Sequence, residues 1–95
     1  MKAIKRIEII IPEGETSKLI EALEATQISG YTFIPSVSGR GDRGITLQAL
    51  GQLDNSYLLV ACESEKLLSA IEASRPFRKR YGGMCLVSDA HWVLH

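Results

Sequence analysis

The sequence predicts an α+β fold made of two copies of one strand, helix, strand unit. Three observations carry this reading: a repeated helical sequence, an apolar strand ahead of each copy and a second apolar strand behind it. "TSKLIEALEA" at 16–25 and "SEKLLSAIEA" at 64–73 share Lys, Leu, Ala, Glu and Ala in register, and their remaining apolar positions stay apolar. Each such unit crosses over right-handed. Two in tandem interleave as a ferredoxin-like βαββαβ sandwich, a four-stranded antiparallel sheet with both helices on one face.

The first strand, "AIKRIEIII" at 3–11, puts Ile7, Ile9 and Ile11 on one face and Arg6, Glu8 and Ile10 on the other. Pro12 and Gly14 stop it. The period then becomes helical, with Leu19, Ile20 and Leu23 facing inward, Thr16 as the expected N-cap and Gly30 as the expected stop. "YTFIPSV" is the second strand, and Pro35 argues that it lies at a sheet edge or bends there. In the second copy "SYLLVAC" leads into a helix whose inward face is expected at 67, 68 and 71, and "GGMCLVS" opens the last strand. The sheet face away from the helices is left bare and partly apolar, which favours self-association.

At 95 residues and 45% apolar content, the chain is read as a single domain, 1–95, small enough to gain stability from oligomerisation. Eleven basic and eleven acidic residues cancel, so the field of a nucleic-acid or membrane-surface binder is missing. The apolar runs are too short to span a bilayer. Cys62 and Cys85 sit in apolar strands that are not neighbours in this topology, so they are expected to be unpaired core residues in a reducing cytoplasm.

Between the second and third strands lies "SGRGDRG", 38–44. Arg40-Gly41-Asp42 spells an adhesion tripeptide, which has no partner inside a cell. Gly39 to Gly44 also spells a dinucleotide fingerprint, but that motif must follow the first strand and open its helix, and here the first crossover is "PEGET". What remains is physical: the three glycines permit positive φ and consecutive exposed N–H groups, while Arg40 and Arg43 supply planar donors for phosphate or carboxylate. With little apolar area before Ile45, residues 39–55 are expected to be partly disordered without ligand, and "ITLQALGQL" to form a short helix on ordering.

A second cationic cluster, Arg75, Arg78, Lys79 and Arg80, precedes Gly82-Gly83 and the last strand. Cations also complement a helix C-terminus, so the cluster alone does not define a site. Beside the first loop it makes a second candidate phosphate cradle. His91 and His95 have the i, i+4 spacing of a metal pair on a helix, but no third ligand is near in sequence and the segment reads as strand or tail. No nucleophile with a base and an orienting group is visible, so the chain is not expected to be an enzyme.

In order and spacing, these segments resemble the PII signalling family, in particular the PII-like branch associated with carboxysomes and bicarbonate transport. "KRIEIIIPEGETSKLIEALEATQISGYT" is similar to the family's first strand, helix and Gly-x-Thr entry into strand two; "SGRGDRG" falls at the base of the family's T-loop, and "YGGMCLV" at its B-loop. The resemblance implies a homotrimer binding adenine nucleotide between subunits. Thr32 would contact adenine; Gly39, Arg40, Gly41 and Arg43 would hold the phosphates from one side, and Arg80, Gly82 and Gly83 from the other. Ala61 would come from the adjoining subunit.

Conventional PII proteins carry a lysine after the B-loop glycine, where this chain has Met84, and a C-terminal loop with arginines, where it has "HWVLH". Fewer cations at the outermost phosphate favour ADP or AMP over ATP, with bicarbonate as the second ligand implied by the branch. No resident cofactor is expected, and the implied protein partner is one such as a bicarbonate transporter. Two other readings share the fold: a CutA-like or ACT-like module binding metal or amino acid, and an acylphosphatase-like hydrolase. The hydrolase needs an anion cradle in the first strand-helix loop, where "PEGETS" places acids.

Overall fold

The computed structural model describes residues 1–28, 30–38 and 54–94. Strand β1 (Lys2–Pro12), helix α1 (Thr16–Glu24), β2 (Tyr31–Val37), β3 (Asn55–Cys62), helix α2 (Leu67–Tyr81) and β4 (Met84–Trp92) follow one another, with 3-10 turns at Glu13–Glu15 and Ser64–Lys66 ahead of the helices. The sheet order is β2-β3-β1-β4, with every pairing antiparallel. This is the expected ferredoxin-like sandwich.

The core forms where the inward residues of the two central strands meet the helices. Ile7, Ile9 and Ile11 of β1 and Leu58 and Val60 of β3 are fully buried beneath Leu19, Leu23 and Ala70. Where β3 meets the start of α1, the only way to bury hydroxyls is to pair them: Thr16 Oγ1 and Ser56 Oγ hydrogen-bond to one another, and Ser56 Oγ also donates to Ile11 O. Because β1 separates β3 from β4, Cys62 lies opposite Lys5 while Cys85 lies opposite Ile9, and both thiols are free. Burial pushes the Cys62 thiol up, away from reactivity.

Three expectations about the helices are corrected. Thr16 is not an N-cap: the turn Glu13–Glu15 runs directly into α1, and the Thr16 hydroxyl is spent on Ser56. Gly30 does not end α1. The helix stops at Glu24 in a Schellman-type close, with Gln27 at φ 69° and the Ile28 N–H donating to Leu23 O. Burying Ile28 under the sheet outweighs the steric cost of a left-handed glutamine. Finally, Leu68 is 72% exposed. The inward face of α2 runs through Leu67, Ala70, Ala73, Ser74 and Phe77, so the two helical copies differ in roll.

The edge reading of Pro35 holds in both senses, since β2 is an outer strand and its ladder to β3 skips from Ile34 to Val37. On the sheet face away from the helices, Ile34, Met84, Leu86 and Trp92 stand exposed around a polar knot. There the Arg6 guanidinium donates to Ser88 Oγ at 3.0 Å and lies 3.4 Å from Glu8, which accepts the Tyr57 hydroxyl at 2.8 Å.

Candidate functional site

Antiparallel pairing brings the end of β1, the end of β2, the start of β3 and the start of β4 to one end of the sheet. Both loops singled out in the sequence therefore emerge at the same end. Gly82 closes α2 at φ 79°, its N–H donating to Arg78 O at 2.9 Å, and Gly83 follows at φ 99°. Gly83 presses against β1: a Cβ there would lie 2.1 Å from Ile10 O. Only glycine allows both the conformation and the approach.

Next to this turn, α2 and the start of β4 enclose a cleft of about 520 Å³ lined by Arg75, Arg78, Lys79, Gly83, Met84 and Cys85. The spacing 75, 78, 79 puts three cations on one side of the helix. Two are braced. Arg75 pairs bidentately with Glu72 at 3.0 and 3.1 Å, and Arg78 bonds Ser74 Oγ and Ile71 O, across the turn where Pro76 interrupts the helical ladder. Lys79 makes no ion pair among the described residues. The cleft thus offers a net positive wall, including one uncommitted ammonium, facing backbone that carries no side chain at Gly83. This is a surface for a phosphate or carboxylate.

The expected site residues divide into three groups. Gly82 and Gly83 form the turn at the cleft. Arg80 points elsewhere, stacking over the Tyr81 ring at 5.4 Å, and the cleft is lined instead by Arg75, Arg78 and Lys79. Thr32 lies opposite Leu59 on edge strand β2, whereas Gly83 precedes β4 on the other edge, with β3 and β1 between them. Ala61, opposite Arg6, lines a smaller cleft of about 250 Å³ with Lys2, Ile4, Cys62, Glu63, Trp92 and Leu94 at the far end of the sheet. Within one chain Thr32 and Ala61 therefore do not meet the glycine turn. Gly39, Arg40, Gly41 and Arg43 lie outside the described residues, as do most of the expected loop 39–55 and the short helix in it; Asn55 already belongs to β3.

Two residues of the site were not singled out in the sequence. The turn Glu13–Glu15 touches both flanks of the first loop: Glu13 Oε1 accepts the Ser36 N–H at 2.9 Å, and the Glu13 N–H donates to Asp54 O at 2.8 Å. The neighbouring Glu15 carboxylate pushes the Tyr81 pKa up. As for the histidine pair, His91 lies in strand β4 and His95 lies outside the described residues. Among the described residues no helix is long and apolar enough to cross a membrane.

None of the curated protein sequences matches the chain. Among solved structures it is similar to CPII, a nitrogen regulatory PII-like protein from Thiomonas intermedia K12 bound to ADP, AMP and bicarbonate, with a TM-score of 0.82 at 22% identity over 98% of this chain and 96% of that one. It is also similar to a PII-like signalling protein from Thermus thermophilus (TM-score 0.77, 19% identity, 97% and 90% covered). A third likeness is to the GlnK–ATP complex of B. subtilis (TM-score 0.71, 15% identity, 95% and 84% covered). At these identities the structures establish a shared fold. The model of the family "Nitrogen regulatory protein P-II", by contrast, matches residues 4–93 of the sequence, nearly its whole length, and the chain belongs to that family.

Proposed function

We propose that the protein is a non-catalytic signalling subunit that binds adenine nucleotide, ADP or AMP in preference to ATP, with bicarbonate as a second ligand. The observation that carries this reading is the cation-lined cleft beside Gly82-Gly83. Its three cations and bare glycine backbone suit one or two phosphates. Met84, at the cleft and without charge, supplies nothing for a third. CPII, bound to ADP, AMP and bicarbonate, supports the choice of ligands. Residues 39–43 close the phosphate site from the other side, and the ligand state passes through that loop to a protein partner such as a bicarbonate transporter, in the cytoplasm.

The reading requires an assembly. Thr32 on one edge strand and Gly83 beside the other are brought together when the β2 edge of one copy meets the β4 edge of the next, a head-to-tail contact that closes as a ring. A trimer accomplishes this and covers the apolar sheet face with its knot of Arg6, Glu8 and Tyr57. Sedimentation at micromolar concentration is expected to show three chains per particle, and a monomer there would remove the basis for Thr32 as an adenine contact and for Ala61 as a residue supplied by the adjoining subunit. The hydrolase alternative finds no support at the first strand-helix turn, where the Glu13 carboxylate is already bound to a backbone N–H.

Calorimetric titration of ADP tests the ligand. Lys79→Ala is expected to weaken ADP roughly ten- to a hundredfold, the loss of one charge-assisted contact of about 1.5–3 kcal/mol. The melting temperature without ligand should hardly move, because Lys79 is exposed. Equal affinities for Lys79→Ala and the unmodified protein, or no binding by either, would remove the cleft from the nucleotide site.

A further inference from the structure

Ser74 lies in the interior of α2 and is fully buried, whereas a serine hydroxyl ordinarily favours a helix end. The duplication supplies the comparison. Thr26 holds the same place in the first copy, and its hydroxyl likewise donates to the carbonyl three residues back, Leu23 O at 2.6 Å. There α1 has already ended. In the second copy the helix runs on to Tyr81, and the hydroxyl gains a second partner: Ser74 Oγ donates to Ile71 O at 2.8 Å and accepts the Arg78 Nε–H at 3.0 Å. Its single hydrogen is used on Ile71, so its lone pairs are turned to the guanidinium. The position that matches Arg78 in the first copy is Gly30, outside any helix.

A long side chain on a helix lies back over the preceding turns, and Arg78 spans about two of them, its Nη2 reaching Ile71 O at 3.2 Å. Nε and Nη2 form one edge of the guanidinium plane, and that edge is docked on α2. The other edge, Nη1 with the second hydrogen of Nη2, makes no hydrogen bond or ion pair among the described residues, and Arg78 lines the cleft. The main chain is tied as well, since Arg78 O accepts the Gly82 N–H. From this geometry we infer that Ser74 is a positioning residue, which holds the Arg78 guanidinium against α2 with its free edge presented to the cleft as a preset fork for two oxygens of one phosphate. The three cations then differ in kind. Arg75 is paired bidentately with Glu72, Lys79 is a mobile point charge, and Arg78 is a fixed planar donor. The orientation stands on the contacts themselves; that the phosphate belongs to ADP rests on the nucleotide reading above.

Proton exchange at the Arg78 Nε–H, followed by NMR, reads the orientation without ligand. Ser74→Ala is expected to speed it about tenfold, and Ser74→Cys, which fills the space with a weak acceptor, to do nearly the same. The Arg75 Nε–H, held by Glu72 at 3.1 Å, is the control in the same spectrum and should not change. Both variants should melt within a few degrees of the unmodified protein, alanine being the better helix former. Calorimetry reads the consequence. ADP should bind Ser74→Ala about three- to tenfold more weakly, Arg78→Ala more weakly still, and the Ser74→Ala/Arg78→Ala double variant no more weakly than Arg78→Ala alone. Arg78→Lys should not restore affinity, because an ammonium cannot hold two acceptors of α2 and a phosphate in one plane. An Arg78 Nε–H unchanged in both serine variants overturns the positioning. So does ADP bound equally by Ser74→Ala and the unmodified protein, or a further loss from Ser74→Ala once the Arg78 side chain is gone. If the unmodified protein binds no ADP, the nucleotide reading fails, while the Nε–H comparison still decides the positioning.

Discussion

Gly83→Ala is expected to destabilise the protein by about 2–4 kcal/mol, since a non-glycine residue at such a backbone angle costs about 1–3 kcal/mol and the clash adds to it. The added Cβ would meet a main-chain oxygen, Ile10 O, at 2.1 Å, so a rotamer change cannot relieve it; β1 or the turn must shift. In a domain of this size about 1 kcal/mol moves Tm by about 4–8 °C, so thermal unfolding should show a fall of about ten degrees or more. Gly30→Ala is the control. Nothing lies within 4 Å of a Cβ there and φ is ordinary, so its Tm should hold or rise slightly. Equal behaviour of the two alanines would mean that Gly83 does not press on β1 as described.

Ile9→Ala should be comparably severe, at about 2–5 kcal/mol for a large-to-small change in a core. Ile9 is fully buried on the inward face of β1 and has Leu58 and Cys85 opposite it on the two neighbouring strands. With a strand paired on each side, the site can collapse little into the space left behind. Denaturant unfolding should show a lower midpoint with an unchanged slope, whereas Leu68→Ala, on a side chain 72% exposed, should leave the midpoint where it is. A stability for Ile9→Ala within about 0.5 kcal/mol of the unmodified protein, the range of an ordinary surface change, would contradict the core assigned to β1.

The fold was legible because its main signals are local and redundant. The alternation of Ile7, Ile9 and Ile11 and the duplicated helix each specify their element without help from distant residues. Pro35 announced an edge by chemistry alone, because a missing donor cannot sit in a central ladder. What escaped was decided by contacts between segments far apart in sequence. Thr16 looked like a cap until Ser56, forty residues on, claimed its hydroxyl. Gly30 looked like a stop until burial of Ile28 forced the close onto Gln27. The cation cluster was visible, but carrying the family resemblance over by position selected Arg80; applying the helical period to 75, 78 and 79 would have selected the residues that line the cleft. Glu13 left no signal at all, since an acid in a turn is ordinary until the unpaired Ser36 N–H is known to lie across the sheet from it.

The kink at Pro35 and Ser36 also bears on how the chain avoids fibrillation. An exposed edge strand with Tyr31, Phe33 and Ile34 is a template on which further strands can pair without limit, and such growth ends in aggregates. Here the template is cut short. Past Ile34 the next residue has no hydrogen to donate, and the one after it has turned its own toward a carboxylate of the same chain. An incoming strand finds a regular edge only over Tyr31–Ile34, too few rungs for a stable β-ladder on its own. Association through this edge must recruit surface elsewhere on the molecule, which selects for a defined, closing contact over open-ended stacking.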